Sequence, residues 1–245
     1  QLLVVDDGSR DNTREVVFEW LADKPHARLL SFNQNRGMSA AYYEAFSFLR
    51  RQLALGKLGA DDIVVTVDAD GQHDPASLDD LVRPIRDGAD AVIGRRDFRL
   101  YPRYKRLGNW VMSAWATLWG GRRFTDVESG YRAFRIGALA DALRYYKGYK
   151  YSETVEVAVI LARLGYRIHD TTVVDIPVFR SNTRLKDVVI DLVAMPCAWW
   201  RVTAARRLPR APRWAAYYVP PLVLGAIVAG GARSLVRALG GGLRR

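Results

Sequence analysis

Ile63-Val64-Val65-Thr66-Val67-Asp68-Ala69-Asp70-Gly71-Gln72-His73-Asp74-Pro75 is the stretch that decides the fold class. Five consecutive β-branched residues, nearly all apolar, read as a strand buried on both faces, as in a parallel sheet. The run stops at an acidic, glycine-containing loop, and Pro75 then opens a helix expected to reach about Arg86. In an extended chain residues i and i+2 point the same way. Asp68 and Asp70 can therefore present two carboxylates to one hard cation, with the Gln72 amide oxygen as a third donor. A Mg²⁺ or Mn²⁺ held there would offset the charge of a diphosphate as it leaves. The competing reading is a turn whose acidic residues serve only capping.

The same grammar recurs on either side. Leu2 to Val5 is a short apolar run ending in Asp6-Asp7-Gly8-Ser9-Arg10-Asp11-Asn12-Thr13. Carboxylates at a strand's end can accept hydrogen bonds from a base or ribose, and Gly8 lets the chain turn close to a ligand. A helix follows, capped by Asp11 or Thr13, with Val16, Val17, Trp20 and Leu21 on one face. Further elements are a strand at 27–32, a helix at 39–53 after Asn35-Arg36-Gly37, a strand at 89–94, and a helix at 104–119 closed by Gly120-Gly121. Helices at 137–145 and 153–164 and a strand at 172–178 complete the pattern. Alternation of this kind predicts an α/β domain of three layers around a doubly wound, mostly parallel sheet, with ligands beyond the carboxyl ends of the strands. Both acidic loops fall at such ends.

Composition narrows the class. The chain has 245 residues, 49% hydrophobic and 26% charged, with a formal net charge of +11. That excess calls for an anionic partner: phosphorylated substrate, anionic lipid or nucleic acid. Arginines cluster at 95–106 and 201–213, which favours a local phosphate or membrane face. No basic–aromatic interleaving supports nucleic-acid binding, and neither acidic loop resembles a P-loop or the glycine-rich dinucleotide fingerprint. Cys197 is the lone cysteine, so no intrachain disulfide forms. His26, His73 and His169 do not make a metal-ligand cluster and read as surface or supporting residues.

After the sheet domain, 188–202 carries an apolar face with Trp199-Trp200, and Asp187 and Asp191 are read on the opposite side. It is expected to lie in lipid head groups, the alternative being a helix packed on the sheet. The 19 residues 214–232 carry no charge and as a helix would span roughly 28 Å, close to the hydrocarbon thickness of a bilayer. Pro220-Pro221 interrupts the run near its start. The division expected is 1–186 catalytic, 187–213 amphipathic and juxtamembrane, and 214–245 an apolar membrane segment with a basic tail.

The strand with Asp6-Asp7-Gly8-Ser9, the Asn35-Arg36-Gly37 loop, Asp68-Ala69-Asp70-Gly71-Gln72-His73-Asp74-Pro75, and Asp126 with Ser129-Gly130-Tyr131-Arg132 resemble, in order and spacing, the inverting family 2 glycosyltransferases. The resemblance covers roughly residues 1–186 and is closest to the polyprenol-phosphate branch, the dolichol-phosphate mannose synthase-like enzymes. It implies a glycosyltransferase A fold and metal-dependent transfer of sugar from a GDP- or UDP-sugar to a polyprenyl phosphate. The nucleotide would lie on Asp6, Asp7, Gly8, Ser9, Asn35, Gly37, Asp68 and Ala69, and the metal on Asp68, Asp70 and Gln72. Acceptor phosphate would meet Arg103, Arg106, Ser129, Arg180 and Arg184, the last standing where the branch often has lysine. Asp68, Asp70, Arg106 and Asp126 would carry catalysis. The resemblance also implies membrane association with the catalytic domain on the cytoplasmic side. It leaves the oligomeric state open.

Members of that branch start with an extra strand and a nucleotide-holding loop ahead of the Leu2–Val5 strand, so a missing N-terminal piece is expected. A lipid phosphate needs no general base, whereas a hydroxyl acceptor on a glycan or protein would, and Asp126 is the candidate. A non-catalytic nucleotide-sugar-binding relative is the remaining alternative.

Overall fold

The computed structural model describes residues 1–149, 151–174, 176 and 185–207. The chain runs β1 (Leu2–Asp6), α1 (Thr13–Leu21), β2 (Ala27–Ser31), α2 (Met38–Ala54), β3 (Ile63–Thr66), α3 (Leu78–Arg86), β4 (Ala91–Ile93), β5 (Arg95–Arg96) and α4 (Arg103–Gly120). It continues with β6 (Arg132–Arg135), α5 (Ile136–Ala142), α6 (Glu153–Leu164), β7 (Ile168–His169), β8 (Val173–Val174) and α7 (Leu185–Arg207). Single 3-10 turns precede α3, at Pro75–Ser77, and α4, at Phe98–Leu100.

The sheet differs from a single, mostly parallel one. The described strands form a parallel β1–β2 pair, a four-stranded sheet in the order β3-β6-β4-β7, and a parallel β5–β8 pair. Strand β6 is antiparallel to both β3 and β4, with Thr66 and Ile93 each opposite Arg132. The reason lies in the chain path. After α4 the loop 122–131 enters β6 from the end at which β3 and β4 finish, so β6 must run the other way. This reversal delivers Asp126 to Tyr131 to the same rim as the acidic loop that follows β3.

The main core is built by α6, α4, α5 and α7 against the sheet. Val155 and the run Val157–Leu161 are buried, so α6 is apolar nearly all round and sits inside. A smaller cluster, with Leu81, Ile85, Val92, Tyr131 and Ala133, packs α3 on the other face. Helix α1 departs from its expected role: none of its residues is buried, and Val16 and Trp20 are exposed. Its N-cap is Asn12, while Asp11 accepts from the Thr13 backbone and hydroxyl in a turn just ahead.

Helix α7 also corrects the sequence reading. By length and composition it could cross a bilayer, but it packs along α6 and α4, as a core helix does. Asp187 and Asp191, expected on a solvated face, are buried. Arg201 is buried too, ion-paired to the fully enclosed Glu156 of α6 and donating to the Tyr145 carbonyl. A charge pair dry on every side locks the helix to the domain, because separating it would leave an uncompensated buried charge. The 214–232 run lies outside the described residues.

Candidate functional site

Three segments meet at the carboxyl ends of β3 and β4: 67–74 after β3, 94–97 after β4, and 126–131 ahead of β6; a fourth, 6–9, ends the separate β1–β2 pair.

The first acidic loop is folded onto the Asn35-Arg36-Gly37 loop. Asp7 accepts from the backbone N–H groups of Arg36 (2.7 Å) and Gly37 (2.8 Å), tying the two loops together. Gly8 is what lets them meet: its φ is 71°, and a Cβ there would sit 2.4 Å from the Gln34 carbonyl carbon. Asp6 is buried and turned inward, accepting from Ser9 N–H (2.9 Å), Ser31 hydroxyl (2.7 Å) and Arg14 (3.4 Å). Burial works to raise its pKa, but the hydrogen bonds from Ser9, Ser31 and Arg14 outweigh it and bring it down to about 2. Ser9 and Asn35 are exposed on this rim, and Gly37 half-buried. Asp6 and Asp7 thus shape a ledge between the two loops.

The central loop begins earlier than the pleat argument requires. Strand β3 ends at Thr66, and Asp70 stands on a turn in which its Oδ1 accepts from the Gln72 N–H at 3.0 Å. Asp68 is half-buried, while Ala69 and Asp70 are exposed. Desolvation raises the Asp68 pKa, His73 and Arg132 oppose the rise, and the nearby Asp70 adds to it. A carboxylate whose charge burial and a neighbouring carboxylate disfavour is what a cation would relieve. Among the described residues no group of three His, Cys, Asp or Glu side chains is gathered for a metal. The donor set at hand is two carboxylates and an amide oxygen, which suits a hard cation that keeps oxygen positions for phosphate.

His73, read from sequence as a surface or supporting residue, is the support of this loop. It is buried, its ring lies on Tyr131 with centroids 4.7 Å apart, and its Nδ1 accepts from the Asp68 backbone N–H at 2.9 Å. The ring proton is therefore on Nε2, which faces Asp68 Oδ2 at 3.8 Å. Tyr131 in turn donates to the Asp74 carbonyl at 3.0 Å. At Gly130 a Cβ would stand 3.0 Å from Asp68 Oδ2, so a side chain there would press on that carboxylate.

Asp126 is fully enclosed. Arg96 donates to it from its backbone N–H (3.0 Å), Nε (2.8 Å) and Nη2 (2.7 Å), a bidentate fork with a third bond beside it. The same guanidinium reaches Asn109 of α4 at 3.4 Å and Glu128 at 3.8 Å. Arg132, buried, donates to the carbonyls of Ser129, Thr154 and Val127 and holds the 127–129 turn. Burial lowers its pKa to about 10. Ser129 is buried, and its hydroxyl has no hydrogen-bond partner among the described residues. Glu153 lies in the same interior, accepting from the Ser39 hydroxyl at 3.0 Å, and burial pushes its pKa up to about 8.

Arg103 and Arg106 sit in the first turn of α4, exposed and pointing away from the core. Asn109, on the inner side of that helix, ties it to the site through Arg96 and the Thr125 carbonyl (3.2 Å). Arg180 and Arg184 lie outside the described residues. Sequence reasoning gave no role to Tyr131, Arg96, Glu128 or Glu153. The Gly94-Arg95-Arg96 placement at the end of an apolar strand was a usable signal for Arg96. Nothing local marks Glu153, which reads as an ordinary acidic residue in a helix's first turn.

The model of the family described as glycosyl transferase family 2 matches residues 1–146. The chain is 28% identical over 212 residues to an undecaprenyl-phosphate mannosyltransferase of Micrococcus luteus, covering 83% of each chain. It is 32% identical over 180 residues to a UDP-N-acetylglucosamine–dolichyl-phosphate N-acetylglucosaminyltransferase of Methanococcus voltae, covering 66% of this chain and 68% of that one. Among solved structures it resembles glucosyl-3-phosphoglycerate synthase from Mycobacterium tuberculosis in complex with Mn²⁺, uridine-diphosphate and phosphoglyceric acid. That likeness has a TM-score of 0.54 and 20% identity, and covers 82% of this chain and 67% of that one. The fold is accordingly glycosyltransferase A-like.

Proposed function

This chain belongs to glycosyl transferase family 2 and is a glycosyltransferase, and from that premise we propose that it moves a sugar, with inversion, from a GDP- or UDP-sugar to a polyprenyl phosphate at a membrane. The observation that carries the reading is that α2, which starts at the Asp7–Gly37 ledge, brings Tyr42 to a cavity that it lines with Thr66 and Gly130, beside Asp68 of the acidic loop. Relatives whose names specify lipid-phosphate acceptors support the choice of acceptor.

In this reading the nucleotide rests on the ledge made by Asp6, Asp7, Gly8, Ser9, Asn35 and Gly37, beside Asp68 and Ala69. Asp68, Asp70 and Gln72 would hold Mg²⁺ or Mn²⁺, which supplies charge neutralisation for the departing diphosphate. A phosphate oxygen of the acceptor bonds to the anomeric carbon while the bond from that carbon to the diphosphate oxygen breaks, the electron pair leaving with the nucleoside diphosphate. The acceptor is already an anion, so no base is needed; Arg103, Arg106, Arg180 and Arg184 would position it and screen its charge, and Ser129 would donate a hydrogen bond. Asp126 serves by holding Arg96 rather than by taking a proton, since both its oxygens are engaged.

Residues 1–186 form the catalytic unit in this proposal, with α7 locked against it through Arg201 and Glu156 and 214–245 associated with the membrane. The catalytic rim faces the cytoplasmic side, where nucleotide sugars are available.

The test is transfer of labelled sugar from a panel of UDP- and GDP-sugars to a short-chain polyprenyl phosphate, with Mn²⁺, Mg²⁺ or EDTA. A lipid-phosphate sugar formed only with metal supports the proposal and names the donor. Donor binding without lipid product would move the function to a glycan or protein hydroxyl acceptor, or to binding alone.

A further inference from the structure

The helix expected to face lipid, α7, packs against α6 and α4, and among the described residues another helix is left with an apolar face uncovered. In α4 the buried residues Asn109, Met112, Ser113, Ala116 and Gly120 point one way. On the other side Tyr104 is 71% exposed, Leu107 62% and Trp110 67%, followed by exposed Val111 and Leu118. At 100° per residue, these five and Ala114 fall within an arc of about 120° that runs some 21 Å along the helix. Scattered apolar residues at a surface need no explanation, but a continuous stripe with two aromatic rings does.

We propose that this face of α4 is the surface by which the protein docks on an anionic lipid bilayer. Charge selects the occupant. Helix α4 contains no acidic residue. Arg103 and Arg106 at its start and Arg123 just beyond its end are exposed and make no ion pair with any described residue. An apolar stripe carrying Trp and Tyr and flanked by free arginines fits the head-group layer, where aromatic rings settle and guanidinium groups meet lipid phosphate. A second copy of the chain fits worse. A two-fold contact through this face would bring basic ends together, whether the helices ran side by side or head to tail. The site gains from such docking because Asn109, on the inner face of the same helix, accepts from Arg96 and donates to the Thr125 carbonyl just ahead of the 126–131 segment. The bilayer would therefore be held at a set height relative to the catalytic rim. Only this last role rests on the proposed lipid acceptor; the surface itself does not.

The experiment uses the full chain without substrates. Pelleting with phosphatidylcholine vesicles, with and without phosphatidylglycerol, is compared for the parent, Leu107→Asp/Trp110→Asp, Leu107→Phe/Trp110→Phe, and Phe18→Asp. Phe18, 71% exposed on α1, is an apolar control away from α4. Because the single cysteine, Cys197, is buried, a Cys197→Ala background with Ala114→Cys accepts one nitroxide on the stripe, and Glu19→Cys provides the comparison on α1. The expected result is at least tenfold tighter binding to anionic vesicles, a loss of at least tenfold in the double Asp variant with an unchanged circular dichroism spectrum, retention in the Phe pair and in Phe18→Asp, and immersion of the label at 114 but not at 19.

Parent-like binding by the double Asp variant, or a label at 114 that stays in water on vesicles, would overturn the proposal. So would protection of that label by self-association without lipid, which would assign the face to a second copy. Transfer to a short-chain acceptor in detergent, measured in parallel, separates the two readings. Docking can fail while transfer persists, and the reverse result would sink the acceptor assignment alone.

Discussion

His73 lies flat on Tyr131, ring centroids 4.7 Å and planes 9° apart, and the pair grips the 68–74 loop at both ends: His73 takes the Asp68 N–H and Tyr131 gives its hydroxyl to the Asp74 carbonyl. The two rings set where Asp68 can stand. His73→Phe keeps the stack and removes the acceptor, leaving a half-buried N–H without a partner, a loss of about 1–1.5 kcal/mol. If Asp68 serves the metal, the Mn²⁺ concentration for half-maximal transfer rises about tenfold in this variant and less in Tyr131→Phe. His73→Asn, which can still accept, restores part of the loss. A lowered melting temperature with unmoved metal dependence would mean that the pair merely stabilises the loop.

Gly8 faces the Gln34 peptide so closely that any side chain must displace backbone. Gly8→Ala is expected to cost about 1–3 kcal/mol, from its positive φ and from the clash together. Opening the ledge should also weaken UDP or GDP binding by at least tenfold in a calorimetric titration. Unchanged nucleotide affinity would place the ligand elsewhere.

Asp126 and Arg96 form the most enclosed ion pair on the rim. Asp126→Asn leaves a largely buried guanidinium with the Glu128 carboxylate at 3.8 Å, beside Asn109 and the Phe98 ring, at a cost of about 3 kcal/mol. For a chain of this size that is a fall of roughly 6–12 °C in melting temperature by scanning calorimetry. Arg96→Lys, which loses the fork but keeps the charge, should fall less far.

Glu153 gives stability a particular pH profile. Its folded pKa, about 8, is above the ordinary 4.5, so its contribution is fully present below about pH 4.5 and is lost as pH rises towards 8. Asp191, raised by burial and by Glu128 and Asp187 to about 7, acts in the same direction. Denaturant unfolding at pH 5 and pH 8 should show the parent losing on the order of several kcal/mol over this window. Glu153→Gln, which cannot ionise beside Ser39, Tyr42 and Arg132, should flatten much of the slope. Parallel slopes for the two proteins would show that Glu153 is not the proton-holding group.

Most elements were legible in the sequence, because strands, helices and caps are coded by near neighbours. Helix 153–164 and the helix closed by Gly120-Gly121 fell where periodicity put them. The two acidic loops were placed at strand ends by the abrupt change from β-branched to acidic residues. What was illegible depended on distant partners. Asp187 and Asp191 are buried because α7 turns that side towards the protein, and Ser39 meets Glu153 across 114 positions of chain.

The sequence by itself determined the α/β character, the order of motifs and the family, because each is carried by residues within a few positions of one another. Only the tertiary structure decided that β6 runs antiparallel, that His73 rather than a solvated turn supports Asp68, and that α7 is covered while α4 is not. Periodicity tells that a helix has two faces. Which face is covered depends on the neighbours that fold against it, and no local pattern contains them.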